Sequence, residues 1–219
     1  MQEPTALVTF LIILGSGILT FQGFNKPELF SRLLFDNQAI QARKEYFRLI
    51  TSGFLHADWM HFIFNMFSLY AFGRHIELIY SPAYLLLIYF TSIVGGNILS
   101  LLIYRNKPYR AIGASGGVCG VIYASIFLIP GGSIYILPIP FPIPSWAFAI
   151  LFLLISFYGM RSTKTNIGHV AHLGGALVGL LVTFLLFPKA VLAQPMLIAG
   201  IFTISAVIFA TTFIKKFTR

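Results

Sequence analysis

Residues 111–130 read AIGASGGVCGVIYASIFLIP. A small, glycine-rich entry, Gly113-Ala114-Ser115-Gly116-Gly117, gives way to an unbroken apolar run that stops at Pro130. As a segment over 114–130 it is short for a full membrane crossing, which takes about 20 residues. Backbone that is not helical at membrane depth is tolerated only where protein buries it or where it lines a water-filled cavity. The stretch therefore predicts a short helix entered by a plunging loop, beside a cavity, inside a bundle of other spans.

The rest of the chain agrees. It has 219 residues, 58% hydrophobic and 10% charged, with a mean hydropathy of +0.86; a soluble domain carries roughly 25% charged residues. Seven apolar segments can be drawn, at 5–22, 59–79, 82–104, 114–130, 144–160, 168–187 and 192–214. Pro82, Pro130, Pro188 and Pro195 punctuate their ends, where helices stop or start. The segment at 144–160 is also short. The organisation expected is a first transmembrane helix within 1–22, a long interfacial loop over 23–58, the remainder of a core over 59–187, and an extra C-terminal helix with a basic tail over 188–219.

The Met-Gln-Glu-Pro start has no basic residue before the apolar run, so the first segment reads as a retained span rather than a secretory signal. Between 23 and 58, charges such as Lys26, Arg32, Arg43 and Arg48 mix with Phe30, Phe35, Tyr46 and Phe47, which predicts short amphipathic helices lying at the interface. Gly131 to Pro144 is uncharged and rich in proline and isoleucine, and reads as a stiff interfacial loop. The net charge of +9 belongs with lipid headgroups in the loops of a membrane protein. No nucleic-acid partner is expected. Cys119 is the single cysteine, so no internal disulfide can form.

Polar residues inside a membrane are costly and are functional candidates by default. Three clusters stand out: HADWMHFIFN at 56–65, GASGG at 113–117 and HVAHLGG at 169–175. They open the second, fourth and sixth segments. In a serpentine chain these segments enter from the same face, so the clusters share one side at about one to two turns' depth. Ser115, at a loop-to-helix junction among glycines, has the setting of a nucleophile: an exposed hydroxyl, small neighbours and helix N-terminal donors.

Gly116 and Gly120, and likewise Gly175 and Gly179, are spaced i, i+4. These small faces let the fourth and sixth helices pack closely. His172, one turn before Gly175, then comes within reach of the Ser115 hydroxyl as its base; His169, nearer the loop, is the competing base. His61 and Asn65 project from one side of the second helix. Both can donate to an oxyanion, together with the Ser115 N–H.

The acids are Glu3, Glu28, Asp36, Glu45, Asp58 and Glu77. None follows residue 77, so a serine–histidine dyad is preferred, and a triad would have to borrow Asp58 or Glu77. There is no His-Glu-x-x-His and no pair of mid-helix aspartates. Neither a metal centre nor a cofactor is expected.

His-x-x-x-Asn in the second helix, Gly-Ala-Ser-Gly opening the fourth, and Ala-His-Leu-Gly-Gly followed by Gly179 in the sixth resemble the rhomboid intramembrane serine proteases, over about residues 45 to 187. The resemblance implies an all-α membrane protein: a six-helix rhomboid-like transmembrane bundle plus one C-terminal helix. It implies Ser115 as nucleophile, His172 as general base, and His61, Asn65 and the Ser115 N–H as oxyanion hole. His56 would brace the first long loop, Gly113, Gly116 and Gly175 would support the site, and Glu77 would be structural. Substrates would be transmembrane segments of other proteins, cut without metal or ATP, with the lipid bilayer as surroundings and a bacterial inner (plasma) membrane as the location. A non-catalytic rhomboid-fold protein that binds membrane helices is the alternative; such relatives generally lack the serine or histidine, and this chain has both. A small transporter would need a repeat around a midplane site, and none is seen.

The chain departs from the family at Cys119, where an aromatic residue usually stacks on the catalytic histidine. Orientation gives two opposed readings. The family implies an N-terminus inside and an extracytoplasmic active face. Yet 13 of the 15 Lys and Arg fall on the active-face loops and the C-terminus, with Arg74 and Lys189 on the other side, which by the positive-inside rule puts the active face inside.

Overall fold

A computed structural model describes residues 5–135, 141–148, 150–151, 154 and 168–217. The order along the chain is α1 (Leu7–Asn25), α2 (Pro27–Leu33), β1 (Phe35–Asp36), α3 (Asn37–Arg43), α4 (Arg48–Thr51) running into a 3-10 turn at Ser52–Phe54, α5 (Trp59–Ile79), α6 (Pro82–Ile103) and β2 (Arg110–Ala111). Then come α7 (Ser115–Leu128), β3 (Ser133–Ile134), β4 (Ile143–Pro144), α8 (His169–Leu186), α9 (Pro188–Leu192) and α10 (Pro195–Phe217). The fold is all-α, with two minimal antiparallel strand pairs among the described residues, β1–β2 and β3–β4. Helices α1 and α6 are long and apolar enough to cross a membrane by length and composition.

The apolar purity of the 111–130 stretch has a packing cause. Every residue of α7 from Gly116 to Leu128 is buried, because α5, α6 and α8 pack around it. A helix buried on all sides has no polar face, and one enclosed by protein need not match the bilayer thickness. The contact with α8 is made by backbone. A Cβ on Gly175 would overlap the Gly116 carbonyl, and one on Gly179 would overlap the Gly120 backbone. Gly96 of α6 joins them: a Cβ there would overlap the Ala171 carbonyl. Three helices thus meet at van der Waals range just beneath the N-terminus of α7, as small residues allow in membranes.

Caps fix where the long helices start. The Asp58 carboxylate accepts from His61 N–H at 2.7 Å, and Pro82 follows the Ser81 cap of α6. Glu77, buried near the end of α5, accepts from Val8 N–H at 2.7 Å, Thr9 N–H at 2.8 Å and the Thr9 hydroxyl at 2.7 Å. It supplies the partners that the first turn of α1 lacks, which gives this acid a structural task.

The 23–58 stretch folds as the short helices α2, α3 and α4 and is pinned internally. Arg48, 5% exposed, donates through Nε to Glu45 at 2.6 Å and through Nη1 to the carbonyls of Ser31 and Leu34, both at 2.8 Å. A buried guanidinium is tolerable only when its donors are met in this way. Asn37 ties this region to the loop after α6. Its amide nitrogen donates to the Tyr104 and Lys107 carbonyls at 2.6 Å each, and its oxygen accepts from Tyr109 N–H at 3.0 Å.

The structure refines several sequence boundaries. Helix α1 runs to Asn25 rather than stopping at 22, the segment at 192–214 corresponds to α10, Pro195–Phe217, and the short α9 lies between it and α8. Gly131–Pro144 contains the β3–β4 pair, with 136–140 outside the described residues. Of the 144–160 segment, 145–148 are helical, whereas 149, 152–153 and 155–160 lie outside the described residues. The pairing of Phe35 with Ala111 and Asp36 with Arg110 has no counterpart in the sequence reading.

The glycine contact is testable. Gly175→Ala is expected to destabilise the protein by at least about 2 kcal/mol, the scale of overpacking a rigid interface. Gly15→Ala, where a Cβ meets nothing within 4 Å, is expected to be neutral. Thermal unfolding in detergent compares the two; equal midpoints would refute the contact.

Candidate active site

Ser115 is the first residue of α7, after an Ala114 cap that supplies no side-chain bond. Val118 N–H is the first to bond back, to the Ala114 carbonyl at 3.0 Å. The N–H groups of Ser115, Gly116 and Gly117 therefore stand outside the helical ladder, where an anion or a polarised carbonyl oxygen is favoured. Gly113 holds the entry loop at φ +122°, a conformation that glycine adopts without cost. Its N–H donates to the Ser52 carbonyl at 3.0 Å, tying the loop to the 3-10 turn.

His172 lies in the first turn of α8, 7% exposed. Its Nε2 is 2.7 Å from Ser115 Oγ, within the range for an O–H···N bond. The glycine contact sets this distance. Gly175 seats α8 against Gly116, and His172 is one turn before Gly175, so the ring comes level with the start of α7. His169 opens the same helix; its side chain lies outside what the structure describes.

His61 and Asn65 follow on α5. Ala57 N–H donates to His61 Nδ1 at 3.3 Å, so Nδ1 accepts and the neutral ring carries its proton on Nε2. That nitrogen faces Gly113. The point a Gly113 Cβ would occupy is 2.8 Å from His61 Nε2 and 3.6 Å from Ser115 Oγ. Glycine leaves this space open between the two groups. Asn65, 4% exposed, donates from its amide nitrogen to the His61 carbonyl at 3.0 Å, which leaves its second N–H.

The two acids that a triad would need are occupied. Asp58 caps α5 and Glu77 holds the start of α1. Cys119, one turn into α7 from Ser115, is 1% exposed.

His56 is fully buried. Its Nδ1 is 3.0 Å from the Thr20 hydroxyl, and that hydroxyl donates its one proton to the Phe54 carbonyl at 3.2 Å. The hydroxyl must then accept from His56 Nδ1–H, a bond that links α1 to the segment entering α5. It stands edge-on to His61, with centroids 5.0 Å apart at 78°. Burial holds the His56 pKa down at about 3; His61 acts in the same direction and Asp58 opposes. Sequence reading missed Thr20, Ser52 and Gly96. Each acts through a partner far along the chain, and no local pattern marks it.

A family model for the Rhomboid domain matches residues 43–189. The chain belongs to the rhomboid family. It is 34% identical over 152 residues to a putative rhomboid protease, YdcA, of Bacillus subtilis (strain 168), covering 68% of this chain and 71% of the relative. It is 28% identical over 189 residues to the mitochondrial RHOMBOID-like protein 12 of Arabidopsis thaliana, covering 78% of this chain and 56% of the relative. The chloroplastic Rhomboid-like protein 11 of the same plant is 33% identical over 164 residues, covering 68% of this chain and 56% of the relative. The chain thus spans little more than half the length of these plant relatives. As a rhomboid-family protein it is an integral membrane protein. The expected bacterial inner membrane is not supported, because mitochondrial and chloroplastic proteins stand among the relatives beside the Bacillus one.

The His56 assignment makes a pH prediction. In the unfolded chain the residue takes up a proton near pH 6.5, and in the folded protein only near pH 3. Between these values the unfolded state alone binds the proton, so the contribution of His56 to stability is full above pH 6.5 and declines as pH falls through this window. In His56→Gln the unfolding midpoint is expected to be lower at neutral pH and to lose less on acidification. Parallel profiles for wild type and variant would refute the buried neutral ring.

Proposed function

We propose that this rhomboid-family protein is an intramembrane serine endopeptidase working through a Ser115–His172 dyad. The observation that carries the reading is the 2.7 Å contact between His172 Nε2 and Ser115 Oγ at the N-terminus of a helix enclosed by protein. Its imidazole meets the hydroxyl that opens α7.

The chemistry follows from the groups. His172 takes the Ser115 proton as Oγ attacks the scissile carbonyl carbon. The oxygen that gains charge fits the open space above Gly113, between His61 Nε2–H and the free N–H groups of α7, with the second Asn65 N–H as a further donor. Donors fixed in a water-poor site stabilise such charge strongly, at about 10²–10³ in rate per donor. His172 gives the proton to the leaving amide nitrogen, the C–N bond breaks, and an ester on Ser115 remains. Water, deprotonated by His172, attacks that ester; the new acid leaves and Ser115 recovers its proton.

The substrate class is suggested by α5, whose inner face carries His61 and Asn65. Its outer face presents Met60, Ile63, Phe64 and Phe67 to a groove of about 490 Å³, closed on its far side by Tyr135 and Phe148. An apolar groove along the helix that carries His61 and Asn65 suits a transmembrane segment of another protein.

Cleavage of a model transmembrane substrate in liposomes tests the reading. Ser115→Ala and His172→Ala are each expected to abolish it, and Ser115→Ala to abolish labelling by a fluorophosphonate. Gly113→Ala fills the oxyanion space and strains the loop, and is expected to slow cleavage by about a hundredfold, the cost of losing a donor. Undiminished cleavage by either dyad variant would overturn the assignment.

A further inference from the structure

The sequence topology assigns thirteen of the fifteen Lys and Arg to the loops of the face that carries Ser115 or to the C-terminus. Several of those on the loops are already paired within the fold. Arg43 and Arg48 share Glu45, and Arg110 pairs with Asp36 at 2.8 Å. Lys44, Arg105 and Lys107 are exposed, and none of them has a carboxylate partner among the described residues.

The fold brings these three together. Gln41 of α3 donates to the Arg105 carbonyl at 3.1 Å, and Asn37 donates to the Lys107 carbonyl at 2.6 Å. Helix α3, which Lys44 follows, therefore lies against the loop that carries the other two. Lys44 itself is held at φ 59°. For a non-glycine residue this is an uncommon backbone state, and here it turns the chain sharply from α3 into α4.

Exposed apolar residues flank these cations along the chain, Phe47 three residues after Lys44 and Leu102 three before Arg105. Asn97 of α6 donates to the Leu49 carbonyl of α4 at 2.8 Å, which joins the two helices. Around that joint Phe47, Ile50 and Leu102 are exposed by 43%, 43% and 65%. Unpaired cations above bare apolar side chains, on the rim of a membrane protein, match one ligand chemistry: a negative headgroup with acyl chains below it.

We infer that the junction of α3, α4 and the loop after α6 is a binding site for an anionic phospholipid. Its phosphate is met by Lys44, Arg105 and Lys107, and its acyl chains lie on Phe47, Ile50 and Leu102. Arg105 and Lys107 of the site lie on the same loop as β2, Lys107 six residues before Gly113, so an occupied site would also hold the loop that leads into α7. It accounts for cations on the active face by local use rather than by orientation, and it does not depend on the protein being a protease.

Lipid retention by the full-length protein tests the site. Protein purified in detergent is given phosphatidylglycerol or phosphatidylcholine, and bound lipid is counted by native mass spectrometry. Wild type is expected to retain phosphatidylglycerol in preference to phosphatidylcholine. Each cation near a lipid surface contributes about 1 kcal/mol, so Lys44→Gln with Arg105→Gln should weaken retention by about thirtyfold. Lys26→Gln with Arg32→Gln removes the same charge elsewhere on that face and should leave retention within about threefold. Ile50→Asp, which keeps every cation, should also weaken retention. The site is overturned if wild type shows no preference, if both double variants lose retention equally, or if glycerol phosphate, which lacks acyl chains, competes as well as the lipid.

Discussion

Everything at the centre of this protein depends on how closely two helices can approach. Gly116 against Gly175, and Gly120 against Gly179, remove the side chains that would hold α7 and α8 apart. Lipid offers little hydrophobic drive for helices to associate, so close backbone packing is what remains. Gly96 of α6 completes the contact against the Ala171 carbonyl. A single methyl at this junction would move one helix relative to the others. Because His172 and Ser115 each lie within a turn of it, their 2.7 Å separation is a consequence of the packing.

A second constraint works from above. The loop into Ser115 hangs from the Ser52 carbonyl, and Ser52 accepts from Asn97 at 3.1 Å. Arg48 and Asn37 hold the surrounding loops to one another, and His56 joins them to α1 through Thr20. Buried polar networks stabilise only when their members are satisfied, and most of these donors and acceptors are. The dyad is therefore located by packing from below and by hydrogen bonds from above. The acids that might have completed a triad are spent on helix ends, Asp58 on α5 and Glu77 on α1.

Much of this was legible before any coordinates. Hydropathy located α1, α5, α6, α7, α8 and α10, and i, i+4 glycines gave the helix pair, because both signals are local and periodic. The even-numbered placement of three polar clusters put them on one face. What stayed hidden were interactions closed over long sequence distances: Thr20 with His56, Ser52 with Gly113, Phe35 with Ala111. Two-residue strands carry too little pattern to be read. Gly96 looks like any membrane glycine until Ala171 is opposite. The uniform apolarity of α7 was legible as membrane character, but its cause is burial by neighbouring helices.

Cys119 shows why the backbone contact matters more in this chain than its motifs alone suggest. An aromatic residue at this position would restrain the histidine by stacking from α7. A thiol is too small for that, and Cys119 is buried to 1% within the core. The backbone beneath contributes to the restraint of the histidine. Gly175 sets the height of α8, and the bond from His172 N–H to the Gly168 carbonyl at 3.1 Å holds the first turn that carries the ring. A side chain anchored through its own helix keeps its place with a small neighbour, provided the helix cannot shift. The three-helix contact of Gly96, Gly116 and Gly175 opposes such a shift.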